Sequence, residues 1–539
     1  MASSIQVYDT TLRDGTQGEG VSFSVEDKLQ IVRKLDELGI HYVEGGWPGS
    51  NPKDAEFFKQ ARGLSLSRAL LAAFGSTCRP KGRPESDPNL LELLNAGTRV
   101  VTIVGKSWDL HVNRVLETTL NENLRIIRES VAFLKSKGLT VFYDAEHFFD
   151  GFKANAHYAL SAIKAAAEGG ADCIILCDTN GGSLPSQVSE VFQRASESVA
   201  TPLGIHAHND GELAVANSLA AVRSGAAQVQ GTMNGYGERC GNANLCSIIP
   251  NLMLKMGYAC LDDGQLARLT EVSRYVSELA NLSHNPQLPY VGASAFAHKG
   301  GLHVAATIKC EESYQHINPA QVGNTQRVLI SELSGRGNIM YKARELGLAS
   351  LPKARAQAVL ARVKDLESKG FQFEGAEASF QLLMVRSQED YRPPFELVDF
   401  MVVVEKHRRP SRRAEETLSE AMVKVRVGDA EVHTAAEGKG PVNALDQALR
   451  KALTQFYPVV AQVRLSDYKV RILNEGAGTE AQIRVLIESR AGDEAWNTVG
   501  SSANIIDASW LALADSLEYW LLKTHQANPS PLLLDHSIP

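Results

Sequence analysis

Short apolar runs alternate with helical patterns through about the first 240 residues of the chain. The runs that predict β-strands lie at 5–8, 42–44, 69–74, 100–104, 140–143, 173–176, 203–205 and 228–232. Between them, apolar residues recur at helical spacing, for example over 120–137, 156–168, 186–199 and 213–224. Eight such strand–helix units predict an α/β fold, a closed (β/α)₈ TIM barrel over residues 1–265. An open doubly wound sheet is the alternative, but its G-x-G-x-x-G turn does not follow the first strand.

Polar side chains gather where these predicted strands end. In a closed barrel the carboxyl ends of all strands meet on one face, which is where barrel active sites lie. We therefore expect a single polar site on this face. Its candidate members follow six of the strands and are Asp9, Arg13, Asp14, Glu44, Asp144, Glu146, Asp178, Thr179, Asn180, His206, His208, Asn209, Asp210, Asn234, Glu238, Arg239 and Asn242.

Two histidines, His206 and His208, lie two positions apart at the end of the seventh strand. Side chains at i and i+2 of a strand point to the same side, so both imidazoles can bind one divalent cation. Asp14 can reach them across the mouth of the barrel, and a His₂-carboxylate set leaves coordination positions open for a substrate. The alternative is a pair of hydrogen-bonded histidines. The ligand types leave Zn²⁺, Mn²⁺, Co²⁺ and Mg²⁺ open.

Composition narrows the class of protein further. A chain of 539 residues favours two or three domains, and its net charge of −7 provides no basic footprint for nucleic acid. No apolar run approaches the roughly 20 residues that span a bilayer, and the first residues lack a secretory signal pattern. The seven cysteines include no C-x-x-C pair, which favours reduced thiols. We therefore expect a cytoplasmic protein that binds neither nucleic acid nor a membrane.

The chain beyond the barrel changes character twice. Residues 266–415 predict a helical linker or lid, with an exposed basic loop at 406–413. Strand-like alternation returns at 422–427, 463–473 and 481–487, which predicts a C-terminal α+β domain over 420–528. Asn443 and Asp446 near one helix start match Asn504 and Asp507 near another. This match favours an internal duplication of a strand–strand–helix unit, although helix capping alone produces the same letters.

Three segments of the barrel carry a family resemblance. Residues 9–15, 206–210 and 231–242 resemble the motifs of the 2-isopropylmalate, homocitrate and citramalate synthases. These enzymes belong to the metal-dependent barrel superfamily that includes HMG-CoA lyase. The resemblance implies an acyltransferase that condenses acetyl-CoA with a 2-oxo acid and hydrolyses the thioester to release CoA. It also implies a divalent cation held by Asp14, His206 and His208, with Asn242 beside it.

The resemblance assigns further roles within the barrel. Arg13 would stabilise the oxygen charge that develops during the attack on the oxo acid. Arg13, Thr179 and Glu44 would bind the substrate, and Glu146 would help to activate the hydrolytic water.

Beyond the barrel, residues 296–303 resemble a catalytic segment of the family. The match makes His303 the base that removes a methyl proton from acetyl-CoA, with Tyr314 assisting. In these synthases the segment reaches the active site of a dimer partner, so the resemblance implies a homodimer. Val304, Ala305 and Ala306 follow the histidine where relatives often carry x-Asp-Gly.

The choice of oxo acid depends on fewer residues. Thr16 and the segment 44–53 favour the citramalate-forming branch, which implies pyruvate as the substrate. Phe74, Ile103 and Phe142 can supply an apolar wall for its methyl group, or can simply fill the barrel. Asp144 is charged and lies near that wall, without an assigned role. The alternatives are 2-oxoisovalerate, 2-oxoglutarate and a carbon–carbon lyase reaction.

The C-terminal residues 420–528 resemble the regulatory dimerisation domain of these synthases. This resemblance implies inhibition by the end-product amino acid, which would be isoleucine on a threonine-independent route.

Overall fold

The computed structural model describes residues 4–262, 264–347, 351–405 and 418–527. The chain divides into two compact units. The first contains residues 1–296 and 315–326, and the second contains residues 297–314 and 327–539.

The first unit is built on eight parallel strands that close into a barrel, which confirms the predicted fold. The strands are β1 (Gln6–Asp9), β2 (Tyr42–Gly46), β3 (Leu70–Ser76), β4 (Val100–Lys106), β5 (Thr140–Glu146), β6 (Cys173–Asp178), β7 (Leu203–Ala207) and β8 (Gln228–Gly231). Strand β1 pairs with β2 on one side and with β8 on the other. All eight predicted strands are present, and most extend into the polar residues that follow the apolar run.

Within the described residues, ten α-helices accompany the barrel. They are α1 (Val25–Leu38), α2 (Pro52–Ala61), α3 (Pro88–Asn95), α4 (Asp109–Arg114), α5 (Leu120–Ser136), α6 (Phe148–Glu168), α7 (Pro185–Ser196), α8 (Ala214–Arg223), α9 (Leu245–Pro250) and α10 (Leu269–Leu279). Helix α1 begins with a capping box between Ser24 and Asp27, and it ends at Gly39 in the left-handed region. Helix α6 begins eight residues before the predicted 156, and non-helical backbone at Asn155 interrupts it.

The barrel has an apolar layer outside its strands and a second one inside. Because side chains alternate along a strand, the inward Thr102 leaves Ile103 facing the helices, where it is fully buried. Phe142 points inward, but it packs between Tyr8 and Tyr42, two residues before the inward Asp144. Of the three residues offered for a substrate wall, Ile103 is therefore excluded, and Phe142 belongs to the inner core.

In the part that the structure describes, the second unit begins with two short strands and four α-helices. Strands β9 (Ala297–His298) and β10 (Arg327–Val328) pair in parallel. The helices are α11 (Gly301–Lys309), α12 (Arg336–Glu345), α13 (Lys353–Ser368) and α14 (Glu377–Arg386). Helix α14 contacts the helix Ile505–Ala527 through hydrogen bonds. Ser379 donates to Asp515 at 2.6 Å, and Arg386 donates to Asp515 at 2.7 Å.

Two three-stranded antiparallel sheets follow, each succeeded by a helix. The first repeat contains β11 (Glu396–Glu405), β12 (Leu418–Val427), β13 (Ala430–Gly438) and α15 (Pro441–Leu453). The second contains β14 (Arg464–Ile472), β15 (Ile483–Ala491), β16 (Glu494–Ser502) and α16 (Ile505–Ala527). The duplicated unit thus has three strands instead of the predicted two. Strand β11 lies in a stretch that the sequence predicted as helical linker, and the basic run 406–413 lies outside the described residues.

The asparagines that indicated the duplication, Asn443 and Asn504, do not occupy equivalent positions in the two repeats. Asn504 lies directly before α16 and accepts a hydrogen bond from the backbone of Ile506, whereas Asn443 lies inside α15. The true register appears in two equivalent hydrogen bonds. Thr434 donates to the carbonyl of Ala448, and Thr498, 64 positions later, donates to that of Ala512.

All seven cysteines carry free thiols. Among the residues that the structure describes, no helix combines the length and the apolar character needed to cross a membrane.

Candidate active site

Three side chains meet at the carboxyl end of the barrel as the sequence predicted. His206 Nε2 lies 3.1 Å from Asp14 Oδ2, and His208 Nε2 lies 3.9 Å from the same oxygen. The two Nε2 atoms are 3.3 Å apart. All three side chains are buried, and within the described residues they form a group whose ligand atoms lie within 4.8 Å of one another. Two imidazoles and a carboxylate in this arrangement suit a divalent cation with open coordination positions.

Asn242 lies beside this group. Its Nδ2 donates to Asp14 Oδ2 at 2.9 Å, while its amide oxygen is buried and has no hydrogen-bond partner among the described residues. Gly237 makes room for this side chain, because a Cβ there would lie 2.9 Å from Asn242 Cγ. A buried carbonyl oxygen without a donor fits a cation as its neighbour, so the residues present suit a metal ion.

The charges of Asp14 and His208 are those that cation ligands require. Burial opposes ionisation of Asp14, but Arg13 and His206 hold its pKa well below the usual range. Burial alone would lower the pKa of His206, yet the hydrogen bond and charge of Asp14 outweigh it and raise this pKa. Burial and the neighbouring His206 lower the pKa of His208 to about 4. Asp14 therefore provides an anionic ligand and His208 a neutral one at neutral pH.

Arg13 is held from three directions. Its Nε donates to Glu44 Oε2 at 2.6 Å, its Nη1 lies 3.4 Å from Asp14 Oδ1, and its Cζ lies 3.9 Å from the ring centroid of Phe74. Thr16 donates to the carbonyl of Arg13 at 2.7 Å and so closes the turn that presents it. The guanidinium is fixed next to the candidate metal ligands instead of being free to sample rotamers.

Glu44 is fully buried behind the arginine. Its second oxygen accepts a hydrogen bond from the hydroxyl of Tyr8 at 2.8 Å, and that hydroxyl also lies 2.7 Å from Thr102 Oγ1. The carboxylate therefore contacts protein groups through both oxygens. This environment suits a residue that positions Arg13.

Glu146 and Thr179 lie at the ends of β5 and β6. The carboxylate of Glu146 forms an ion pair with Lys106 at the end of β4. Thr179 Oγ1 accepts a hydrogen bond from the backbone N–H of His147 at 2.9 Å, which leaves the hydroxyl proton available for another acceptor. Sequence reasoning missed Lys106 because the predicted fourth strand stopped at residue 104. A longer strand would have placed this lysine at the polar face.

Sequence reasoning also missed Gln230, which lies on β8 inside the barrel. Its Oε1 is 2.9 Å from His206 Nδ1, and its Nε2 is 3.3 Å from Asp144 Oδ1. Burial and the nearby Glu44 raise the pKa of Asp144 to about 7. Gln230 therefore connects Asp144, to which the sequence assigned no role, with a candidate metal ligand.

His303 and Tyr314 belong to the second unit and not to the barrel unit. Their rings stack with centroids 4.4 Å apart, and both side chains are exposed. Leu302, next to the histidine, is 85% exposed, and Tyr314 is 46% exposed.

Comparison with protein families defines the class of protein. An HMGL-like domain matches residues 4–276, about half of the chain. A homocitrate synthase post-HMGL domain matches residues 290–370, and a LeuA allosteric (dimerisation) domain matches residues 374–521. The chain is thus an HMGL-like barrel enzyme that carries a LeuA allosteric domain.

Full-length relatives narrow the class. The chain is 55% identical to an (R)-citramalate synthase of Geobacter sulfurreducens, covering 98% of this chain and 99% of that protein. It is 51% identical to an (R)-citramalate synthase of Aquifex aeolicus over the same shares. A probable 2-isopropylmalate synthase of Methanopyrus kandleri is 31% identical, covering 94% of this chain and 97% of that protein. The chain belongs to the (R)-citramalate synthase family.

Proposed function

We propose that this enzyme condenses acetyl-CoA with pyruvate and water to give (R)-citramalate and CoA. The observation that carries the proposal is the buried group of Asp14, His206 and His208 beside a fixed Arg13, in a chain that matches (R)-citramalate synthases along its length. The other oxo acids and the lyase reaction are the alternatives that the experiment below separates.

The cation site would be formed by Asp14, His206 and His208, with the amide oxygen of Asn242 as a further donor. A divalent ion bound there would act as a Lewis acid on the carbonyl of the oxo acid. Zn²⁺, Mn²⁺, Co²⁺ and Mg²⁺ are all compatible with two imidazoles and oxygen donors.

Arg13 would donate hydrogen bonds to the carbonyl oxygen as negative charge develops on it. Glu44, Asp14 and Phe74 hold the guanidinium in advance, so little reorganisation is needed when the charge appears. We assign Glu44 to positioning Arg13 and Thr179 to the substrate carboxylate, to which its hydroxyl would donate. Phe74, already against the guanidinium, would contribute apolar surface next to the small methyl group of pyruvate.

Two proton-transfer roles complete the reaction. Glu146 would help to activate the hydrolytic water, with Lys106 holding its carboxylate in place. His303, assisted by the stacked Tyr314, would remove the methyl proton of acetyl-CoA. The exposure of both rings, and of Leu302 beside them, supports a homodimer in which this segment meets the barrel of the partner.

A thiol-release assay across three oxo acids tests the reaction. With acetyl-CoA and a divalent metal, we expect pyruvate to give a kcat/KM about 100-fold above that of 2-oxoisovalerate or 2-oxoglutarate, because a site that accepts the methyl group of pyruvate beside Phe74 would exclude their larger side chains. Greatest turnover with 2-oxoisovalerate would overturn the pyruvate assignment. Cleavage of a carbon–carbon bond in a 3-hydroxyacyl-CoA to give acetyl-CoA, without condensation of any oxo acid, would favour the lyase.

Regulation by isoleucine is the second part of the proposal. A stop codon after Gly370 falls between the matched linker domain and the matched LeuA domain, and it removes α14 together with its partner α16. A cut at 415 would keep α14 but leave it without that contact. We expect the truncated enzyme to condense pyruvate without inhibition by isoleucine, as measured by thiol release.

The full-length protein provides a control for this experiment. L-isoleucine, but not D-isoleucine, should raise its melting temperature, because a ligand that binds the native state stabilises it. Continued inhibition of the truncated enzyme, or equal shifts with the two enantiomers, would refute the regulatory assignment.

A further inference from the structure

Gln230 connects His206 to Asp144 inside the barrel, and no step of the reaction above uses it. Its side chain has 0% exposure, and the register of β7 and β8 places it opposite His206. The amide oxygen lies 2.9 Å from His206 Nδ1, and the amide nitrogen lies 3.3 Å from Asp144 Oδ1. Both ring nitrogens of His206 therefore have a partner: Nδ1 meets the amide oxygen of Gln230, and Nε2 meets the carboxylate of Asp14.

The direction of the Gln230 amide decides which nitrogen of His206 carries the proton. A neutral imidazole has one N–H and one lone pair, and an amide has a donor end and an acceptor end. Asp144 Oδ1 accepts the N–H of Gln230, so the acceptor end of the amide faces His206. An oxygen at this position can only accept, and the ring proton must therefore be on Nδ1.

We propose that Asp144 and Gln230 form a relay that fixes His206 as its Nδ1–H tautomer and so directs the lone pair of Nε2 at the cation. Both are positioning residues, since each would act on the cation only through His206. The inference rests on the cation site of the proposed function, but not on the identity of the oxo acid. Partners of this kind also raise the basicity of a ligating imidazole.

The second histidine provides a contrast. His208 Nδ1 is buried and has no hydrogen-bond partner among the described residues. The relay thus acts on one imidazole of the pair, and its loss should weaken cation binding without abolishing it.

Gln230→Met tests the relay, because methionine matches glutamine in length and lacks the acceptor. In the metal-free full-length protein, we expect Zn²⁺ or Co²⁺ to bind about 10- to 100-fold more weakly than in the wild type, as measured by calorimetry with a competing chelator. Gln228→Met is the matched control. Gln228 lies two positions earlier on the same face of β8 and also has 0% exposure. Its amide donates to Gln6.

A double variant, Asp144→Asn with Gln230→Glu, exchanges the acid and the amide. An oxygen still faces His206, and the new amide can donate to Glu at position 230, so we expect cation affinity within about threefold of the wild type. Retained affinity in Gln230→Met, an equal loss in Gln228→Met, or a loss in the double variant as large as in Gln230→Met would overturn the relay.

Tautomer and folding are checked in the same proteins. ¹⁵N spectra of histidine-labelled, metal-free protein, recorded at a pH high enough for His206 to be neutral, should show His206 with its proton on Nδ1 in the wild type and a mixture of tautomers in Gln230→Met. An unchanged ring spectrum in Gln230→Met would contradict the proposal. These measurements use no oxo acid, so the relay is judged separately from turnover, and only a wild type that binds no divalent metal would refute both.

Discussion

Replacing His206 by alanine is expected to remove both the bound metal and the CoA-releasing activity. The substitution leaves Asp14 and His208 as ligands and vacates the position that Gln230 supports. Lewis-acid catalysis contributes several kcal/mol to such a reaction, so we expect kcat to fall by about 10³-fold or more. Metal content by mass spectrometry and thiol release should decline together in the same preparation.

His157→Ala is the matched control for this prediction. His157 is an exposed residue of α6 on the same barrel, so its loss should leave both metal content and kcat at wild-type values. A His206→Ala protein that keeps its metal and its full activity would contradict the ligand assignment. Loss of activity with full metal content would instead assign His206 a different part in the chemistry.

The second large effect is expected for Arg13→Lys, which retains the positive charge. A lysine cannot donate to Glu44 and approach Asp14 through one rigid planar group, nor stack flat on Phe74. We expect kcat to fall by about 10²- to 10³-fold, because a preorganised donor to the developing oxygen charge is lost. Metal content should be unchanged, which distinguishes this variant from His206→Ala.

Arg33→Lys provides the comparison for Arg13→Lys. Arg33 is an exposed residue of α1, and the same exchange there should leave kcat and KM unaltered. A rise in KM of the Arg13 variant for pyruvate at constant kcat would show that the guanidinium only binds the substrate, and would refute its role in charge stabilisation.

Most of the barrel could be predicted because its signals are local. A strand is a run of a few apolar residues, and the polar residues that follow it lie on the active face in any closed parallel barrel. Asp14, His206 and His208 could be proposed as a group for this reason, although they come from distant parts of the chain. The orientation of Ile103 could be predicted only after the inward direction of Thr102 was known.

The supporting contacts could not be predicted, since their partners are far apart in sequence. Gln230 contacts His206 and Asp144 across separations of 24 and 86 positions. A glutamine in a strand does not indicate which side chains its amide will meet. In the duplicated domain, a similarity in sequence was misleading. Asn443 and Asn504 stand in similar sequence surroundings but hold different places relative to their helices.

The pairing of β1 with β8 has a consequence for the order in which the protein matures. The first strand finds its second neighbour only when Gln228–Gly231 has been synthesised, and Asn242 follows Asp14 by 228 positions. Contacts of such long sequence separation form late in folding, since closing the chain costs conformational entropy before the stabilising contacts are made. On the ribosome, the nascent chain therefore has no complete cation site until β8 and Asn242 have been made. Metal loading must therefore follow the emergence of nearly the whole barrel, at a point when more than half of the 539 residues are still to be added.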